Sequence, residues 1–133
     1  YIYSRDIGML LTISPHSRAT LQEQILTQIR ARILAGDLQA DAGLPSIRAL
    51  ASQLKVSVIT VQRAYDALLN EGLIYARRGK GFFVAALPDA DKSALAQERF
   101  AGQLGTLIAQ ARRDGLDTDT LEAIFARMMQ TGD

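Results

Sequence analysis

The most constraining feature of the sequence is a pair of short helix patterns separated by a very short turn. Apolar residues recur at helical spacing after Ser46 and again after Ser57, with only Lys55-Val56 to turn the chain between them. Serine is a favoured N-cap because its hydroxyl accepts a hydrogen bond from an amide in the first helical turn. The expected inward positions are Ile47, Leu50, Ala51 and Leu54, then Val61, Ala64, Tyr65, Leu68 and Leu69. Two helices this close predict a helix-turn-helix.

A longer helix is predicted before this pair. From Thr20 onward, apolar residues recur every four positions, and Glu23 stands three residues after Thr20, which is the spacing of a capping box. The apolar stripe is formed by Leu21, Ile25, Ile29 and Ile33. Gly36-Asp37 is predicted to end this helix.

A β-hairpin is predicted after the pair. Gly72 ends the second helix, and residues 73–76 and 82–85 are β-branched and aromatic, as in short strands. They bracket a basic, glycine-containing tip, Arg77-Arg78-Gly79-Lys80-Gly81. Three helices and a two-stranded hairpin are typical of a winged helix-turn-helix. The predicted fold class is therefore mainly α with a small β-hairpin.

Two more amphipathic helices are predicted in the C-terminal part, after a linker at residues 88–91. Gly115 ends the first, and Asp117-Thr118 caps the second. Two such helices cannot enclose a core between themselves, and the simplest partner is the same pair in a second subunit. The residues expected to carry this dimerisation are Phe100, Leu104, Leu107, Ile108, Leu121, Ile124, Phe125 and Met128.

The expected domain organisation has three parts. Residues 1–19 form an N-terminal arm, with residues 10–13 extended and a turn at Ser14-Pro15. Residues 1–8 have no clear period and are either an extension or a cloning remnant. Residues 20–86 form the winged helix-turn-helix, which is the expected DNA-binding domain. Residues 87–133 form the linker and the helical dimerisation segment.

The composition excludes several kinds of site. The 133 residues include no cysteine and one histidine, His16, so thiolate metal sites, disulfides and most histidine-based catalysis are excluded. Asp117 and Asp119 are explained by helix capping rather than by metal binding. No apolar run approaches the roughly 18 residues that span a bilayer. We expect a cytoplasmic, nucleoid-associated protein with no cofactor, no metal and no membrane partner.

Charge is divided unevenly along the chain. Residues 20–85 contain eight basic and five acidic residues, whereas residues 86–133 contain five basic and eight acidic ones. A basic middle part is typical of a surface that faces a polyanion, although a difference of this size also arises by chance.

The second helix of the pair presents its N-terminal residues to DNA in a helix-turn-helix. Thr60 and Gln62 can hydrogen-bond to base edges or phosphates, and Val58 and Ile59 can contact thymine methyl groups. The alternative is a merely solvated helix face, with Ser46 only a cap and Arg48 in a weak surface ion pair. The residues expected at the DNA are Ser46, Arg48, Ser57, Val58, Ile59, Thr60, Gln62, Arg63, Arg77, Arg78, Gly79 and Lys80.

Four motifs make the sequence resemble the GntR family of bacterial transcription regulators. They are LPSIRALA at residues 44–51, TVQRAY at 60–65, NEGLI at 70–74 and GKGFFV at 79–84. Gln22 stands where an aromatic residue is common, and Ala40-Asp41 replaces a frequent Pro-Gly turn. The short tail resembles that of the YtrA-type subfamily, in which it serves dimerisation.

The resemblance implies that DNA contacts fall on Arg48, on residues 57–60, on Gln62 and Arg63, and on the hairpin from Arg78 to Lys80. Val58 occupies a position where some members carry arginine. We therefore expect a regulator, and specifically a repressor, that binds a palindromic operator as a homodimer. The alternatives are a winged-helix module for protein interaction and a DNA-binding protein with a small-molecule inducer at its dimer interface. An enzyme is not expected, because the sequence lacks a catalytic constellation of histidine, cysteine and carboxylate residues.

Overall fold

The predicted order of helices and strands is present in the structure, a computed structural model that describes residues 11–132. The elements are α1 (Leu21–Leu34), α2 (Ile47–Leu54), α3 (Val58–Asn70), β1 (Ile74–Arg77), β2 (Gly81–Val84), α4 (Asp89–Arg113) and α5 (Thr118–Thr131). They form two compact units, one ending at Lys92 and the other beginning at Ser93. The first unit contains α1 to β2, so the predicted winged helix-turn-helix is confirmed.

The core of the first unit is built around α3. Its inner face is fully buried and packs against both α1 and α2. The side chains with no exposed surface are Ile25, Ile29, Ile33, Leu50, Val61, Ala64, Tyr65 and Leu68. Leu69 was expected inward as well, but it is only half-buried. The core therefore follows the helical period of the sequence closely, because one apolar face per helix is what the packing needs.

Tyr65 carries the one polar atom of this inner face. Its hydroxyl donates a buried hydrogen bond of 2.7 Å to the carbonyl of Pro45, just before α2. Its ring meets Phe82 of β2 edge to face, with 5.1 Å between the ring centroids. Burial raises the pKa of the Tyr65 phenol, so the hydroxyl stays protonated and able to donate. One side chain thus ties α3 to the start of α2 and to the hairpin.

A half-buried ion pair joins α1 to the end of α3. The Arg30 guanidinium donates to both carboxylate oxygens of Glu71, at 2.9 and 2.7 Å, and the Arg30 side chain is only 6% exposed. This two-bond geometry satisfies a cation that would otherwise be costly to bury. The pair therefore fixes where α3 ends relative to α1.

Both strands of the hairpin lie one residue nearer the tip than predicted. Ile74 pairs with Val84 and Arg77 with Gly81, which is the register that the predicted strands 73–76 and 82–85 imply, and only the strand boundaries differ by one position. Arg77 and Gly81 consequently lie in strands, and the tip is reduced to Arg78-Gly79-Lys80. Gly79, at a φ of +74°, and the bond from the Lys80 amide to the Arg77 carbonyl form the tight turn.

The loop between α1 and α2 runs along β2 like a third strand. The Leu44 amide donates to the Phe82 carbonyl at 2.9 Å, and the Val84 amide donates to the Ala42 carbonyl at 2.9 Å. Asp41 has a φ of +66°, the conformation that glycine adopts most easily, and its carboxylate accepts a 2.6 Å hydrogen bond from the Tyr75 hydroxyl. The hydrogen bond from Tyr75 thus stabilises Asp41 in this conformation, at the position where the family more often has a Pro-Gly turn.

Residues 11–14 of the N-terminal arm lie along α1, and a turn closed by a hydrogen bond from the Ser17 amide to the Ser14 carbonyl follows. The side-chain amide of Gln28 exchanges two hydrogen bonds with the backbone of Thr12, and that of Gln24 does the same with Ser14. Gln24 and Gln28 lie one helical turn apart, about 6 Å, which matches two residues of extended chain. The rest of the predicted arm, residues 1–10, lies outside the described residues.

The predicted linker at residues 88–91 is wrong, because α4 already begins at Asp89. The Lys92 amide donates to the Pro88 carbonyl, which closes the first helical turn. Asp89 and Asp91 stabilise this helix N-terminus through its partial positive charge. At α5 the predicted cap is present: the Asp117 carboxylate accepts from the Thr120 amide at 2.9 Å, and hydrogen bonds from Thr120 lower the pKa of Asp117.

The buried hydrogen bond of Tyr65 predicts a specific loss of stability. Tyr65→Phe leaves the Pro45 carbonyl without a partner and should destabilise the protein by about 1–3 kcal/mol. Urea unfolding followed by circular dichroism measures this difference. The control is Tyr75→Phe, which removes the hydrogen bond to Asp41; because that bond is exposed and water can replace it, the loss should be smaller, about 0.5 kcal/mol. Equal effects of the two substitutions would contradict the prediction.

Candidate nucleic-acid interface

The first turn of α3 is held by its own hydroxyl groups. Ser57 caps the helix by accepting a 3.1 Å hydrogen bond from the Thr60 amide, as its position in the sequence predicts. The hydroxyls of Ser57 and Thr60 also lie 2.8 Å apart and bond to each other. Ser57 is exposed and Thr60 is half-buried. Both predicted site residues are therefore already engaged in forming the helix start.

Two large apolar side chains are exposed in the same turn. Val58 is 44% exposed and Ile59 is 53% exposed, although both are branched hydrocarbons next to a cap. One turn later on the same side, Gln62 and Arg63 are exposed. The first two turns of α3 therefore present apolar, amide and cationic groups in succession.

The start of α2 brings a cation to the same unit. The Ser46 hydroxyl accepts from the Ala49 amide at 3.1 Å, so Ser46 is the N-cap of α2. Arg48, two residues later, is exposed. Since Tyr65 of α3 holds the carbonyl of Pro45, the position of this helix start depends directly on α3. The sequence pattern did not identify this contact, although a tyrosine on an apolar helix face requires a hydrogen-bond partner.

The turn between α2 and α3 exposes a cation that the sequence analysis did not include in the site. Lys55 is exposed and has a φ of +58°, in the left-handed region where glycine is preferred. The Val56 amide donates to the Ala51 carbonyl at 3.0 Å, which closes the turn. A lysine at a helix end where glycine is preferred is the sequence signal that could have identified Lys55.

The hairpin separates its cations into two groups. Arg78 and Lys80 lie with Gly79 at the exposed tip. Arg77 lies on the strand face instead, with its guanidinium carbon 5.9 Å from the centroid of the Phe83 ring, which also stacks on Tyr75. The cation–π contact orients Arg77 along the hairpin rather than at its tip.

The structure places the predicted residues in two groups that match the two units. The twelve residues expected at the DNA all lie in the first unit, on α2, α3 and the hairpin, and eleven of them are exposed, Thr60 being the exception. The eight residues expected to carry dimerisation lie in the second unit.

The second unit exposes much of its apolar surface. Of the predicted residues, Leu104, Ile108, Leu121 and Ile124 are half-buried, whereas Phe100, Leu107, Phe125 and Met128 are exposed. Leu116 and Met129, which were not included, are exposed as well. Neither α4 nor α5 has a buried residue.

Neither a metal centre nor a membrane-spanning helix is present in the described part of the chain. Residues 11–132 contain no group of three histidine or acidic side chains that is arranged to hold a metal ion. No helix in the same range has the length and apolar character needed to cross a membrane.

Comparison with known families and sequences gives consistent matches. Residues 21–84 match the family described as bacterial regulatory proteins, gntR family. The chain is 43% identical over 79 residues to the probable rhizopine catabolism regulatory protein MocR of Rhizobium meliloti, covering 59% of this chain and 16% of that protein. It is 30% identical over 115 residues to the transcriptional repressor YtrA of Bacillus subtilis, covering 84% of this chain and 86% of that one.

Solved structures agree with these matches. A GntR family transcriptional regulator from Listeria monocytogenes is 28% identical, with a TM-score of 0.66, and the match covers 84% of this chain and 96% of that one. YtrA from Sulfolobus acidocaldarius is 31% identical, with a TM-score of 0.56, and the match covers 70% of this chain and 98% of that one. The chain spans about a sixth of MocR, but most of both YtrA proteins.

The left-handed conformation of Lys55 predicts a stabilising substitution. Lys55→Gly should raise the free energy of unfolding by about 0.5–1 kcal/mol, because glycine adopts this conformation without a steric penalty. Urea unfolding measures the change. Ser52→Gly, at an exposed position inside α2, is the control and should instead lower stability by about 0.5 kcal/mol. A loss of stability in Lys55→Gly would disprove the strain argument.

Proposed function

The chain belongs to the GntR family of bacterial regulatory proteins, and from this premise we propose that it is a repressor that binds a palindromic operator as a homodimer. The membership confirms two expectations from the sequence: the chain is a transcription regulator with a DNA-binding domain, and it is not an enzyme. The operator, the repression and the homodimer are the proposed part. Acting on chromosomal DNA would place the protein in the cytoplasm.

The exposed first turn of α3 carries this proposal. Val58 and Ile59 are large apolar groups in water at the end of the helix that a helix-turn-helix inserts into the major groove. Exposed cations lie on each element that would flank the groove, namely Arg48 on α2, Arg63 on α3 and Lys80 on the hairpin. Such cations bind phosphates and fix the position of the protein on the duplex.

The proposed homodimer is supported by the second unit. Phe100 is 57% exposed and Phe125 is 45% exposed, and a chain that presents such side chains on two amphipathic helices gains stability by covering them. A second copy offers the same surface, and a two-fold dimer presents two copies of α3. The operator would then contain two inverted half-sites about one helical turn apart.

The names of the relatives favour repression over activation. The YtrA protein of Bacillus subtilis, of which this chain covers 86%, is named as a repressor. A dimer bound to its operator blocks other proteins from the same stretch of DNA, and needs no activating surface to do so.

The operator is found by selecting bound duplexes from a randomised DNA pool at physiological salt. We expect an enriched inverted repeat. Retention that only declines as salt rises would be non-specific binding, and absence of retention would favour the protein-interaction module instead. With about eight to ten phosphates neutralised per dimer, specific affinity should fall steeply with salt concentration.

Arg48 provides the first test of the DNA surface. Arg48→Ala should weaken binding to the selected operator by about 1–3 kcal/mol if the guanidinium contacts a base. Fluorescence anisotropy at fixed salt measures this loss. The control, Arg99→Ala, removes an exposed arginine of α4 and should leave affinity within about twofold. Unchanged affinity in Arg48→Ala would show that Arg48 does not contact the operator.

Phe125 provides the test of the dimer. Phe125→Glu places a charge on the apolar face of α5 and should weaken self-association by at least about tenfold, since burial of a phenylalanine contributes about 1.5–3 kcal/mol. Sedimentation velocity measures the association. Gln130→Glu adds the same charge on the opposite side of α5 and should leave the dimer intact. A Phe125→Glu protein that stays dimeric would refute the assignment of this face.

A further inference from the structure

We infer that Val58 and Ile59 read thymine, by packing against its C5 methyl group, at a fixed distance from a base pair read by Gln62. This inference rests on the proposed function, because it requires α3 to lie in the major groove of an operator. It specifies which chemical group of the DNA the first turn of α3 recognises.

The hydroxyl groups of this turn use part of their hydrogen-bonding capacity within the helix. The Ser57 oxygen accepts from the Thr60 amide and bonds to the Thr60 hydroxyl, at 3.1 and 2.8 Å. Only one of the two hydroxyl hydrogens can point between the oxygens, so one donor remains for both residues. Half of the hydrogen-bonding capacity of these two hydroxyls is thus used within the helix, whereas the branched side chains of Val58 and Ile59 beside them are exposed with no partner among residues 11–132 that would bury them.

Val58 and Ile59 stand apart from the other exposed hydrocarbon of the molecule. Among residues 11–132, eight large apolar side chains are exposed, and six of them lie in the second unit. Val58 and Ile59 are the two in the first unit, and they are adjacent at the N-terminus of α3. An apolar pair confined to this position matches the one apolar group that bases present in the major groove, the thymine methyl.

The helix geometry sets the spacing of the contacts. Gln62 lies four residues after Val58 and Arg63 lies four after Ile59, so each apolar residue has a polar neighbour about 6 Å further along the helix. This distance corresponds to about two base-pair steps along the groove. A glutamine side chain can bond to adenine with two hydrogen bonds. A half-site should therefore contain a thymine about two steps from the base pair that Gln62 reads.

The next turn of α3 limits the contact to these residues. Asp66 follows Gln62 at the same spacing and is exposed. Its carboxylate is repelled by DNA phosphates, so the helix approaches the groove through its first two turns rather than along its full length. The reading surface is then Val58, Ile59, Gln62 and Arg63.

Replacing thymidine by deoxyuridine tests the inference, because it removes the methyl group and leaves every hydrogen-bonding atom of the base. The probe is the operator duplex from the selection, with one thymidine at a time replaced in both half-sites, and the full-length protein is titrated by fluorescence anisotropy. One or two positions should lose about fourfold in affinity per methyl group removed, as expected for uncovering one carbon.

Matched variants assign the effect to its side chain. Val58→Ala or Ile59→Ala should weaken binding to the thymidine operator and abolish the deoxyuridine effect at its own position. Gln62→Ala should weaken binding but retain that effect in full. All these positions are exposed, so we expect each variant to keep the fold.

Two results would overturn the inference while leaving the proposed function intact. One is an operator that binds specifically but loses no affinity with deoxyuridine at any position. The other is a deoxyuridine effect that is unchanged in both alanine variants. A protein that enriches no sequence at all would instead contradict the proposed function, so the two failures are distinguishable.

Discussion

The hydrogen bond from the Tyr65 hydroxyl to the Pro45 carbonyl is the contact on which the proposed reading surface depends. Tyr65 is fully buried in α3, yet it bonds to the residue that precedes α2 and packs its ring edge against Phe82 of the hairpin. A buried donor and acceptor must be paired, so this geometry cannot relax without cost. The three elements that carry Arg48, the first turn of α3 and the hairpin tip are thus positioned by one side chain.

The first unit separates its scaffold from its exposed surface. Arg30 and the apolar faces of α1 and α3 are turned inward, while the Arg30–Glu71 pair and the strand-like loop beside β2 connect the elements to one another. The groups proposed to meet DNA are turned outward, and apart from the hydroxyl caps they have few contacts with the scaffold. Substitution of Val58 or Gln62 can therefore change the recognised sequence without changing the fold, which explains how one fold serves many operators.

The second unit lacks a core of its own. Its two helices have no buried residue of their own, so their apolar faces do not form a core within one chain. Covering Phe100, Leu107 and Phe125 with a second copy would supply that core and would also present α3 twice. Dimerisation and operator recognition are then coupled, because a single α3 offers only a few contacts to the DNA.

The sequence by itself determined the order of the helices, their caps at Thr20, Ser46, Ser57 and Asp117, and the face that each helix of the first unit buries. These features are local, since the helical period and the capping hydroxyls act within a few residues. It also indicated the exposed reading residues, although their DNA contacts remain a prediction. The tertiary structure decided what depends on distant partners: the Tyr65–Pro45 bond, the contact of Arg77 with Phe83, and the pairing of the loop at residues 41–44 with β2. The loop pairs with β2 through backbone hydrogen bonds between segments that are far apart in the chain, and no local pattern contains such a pairing.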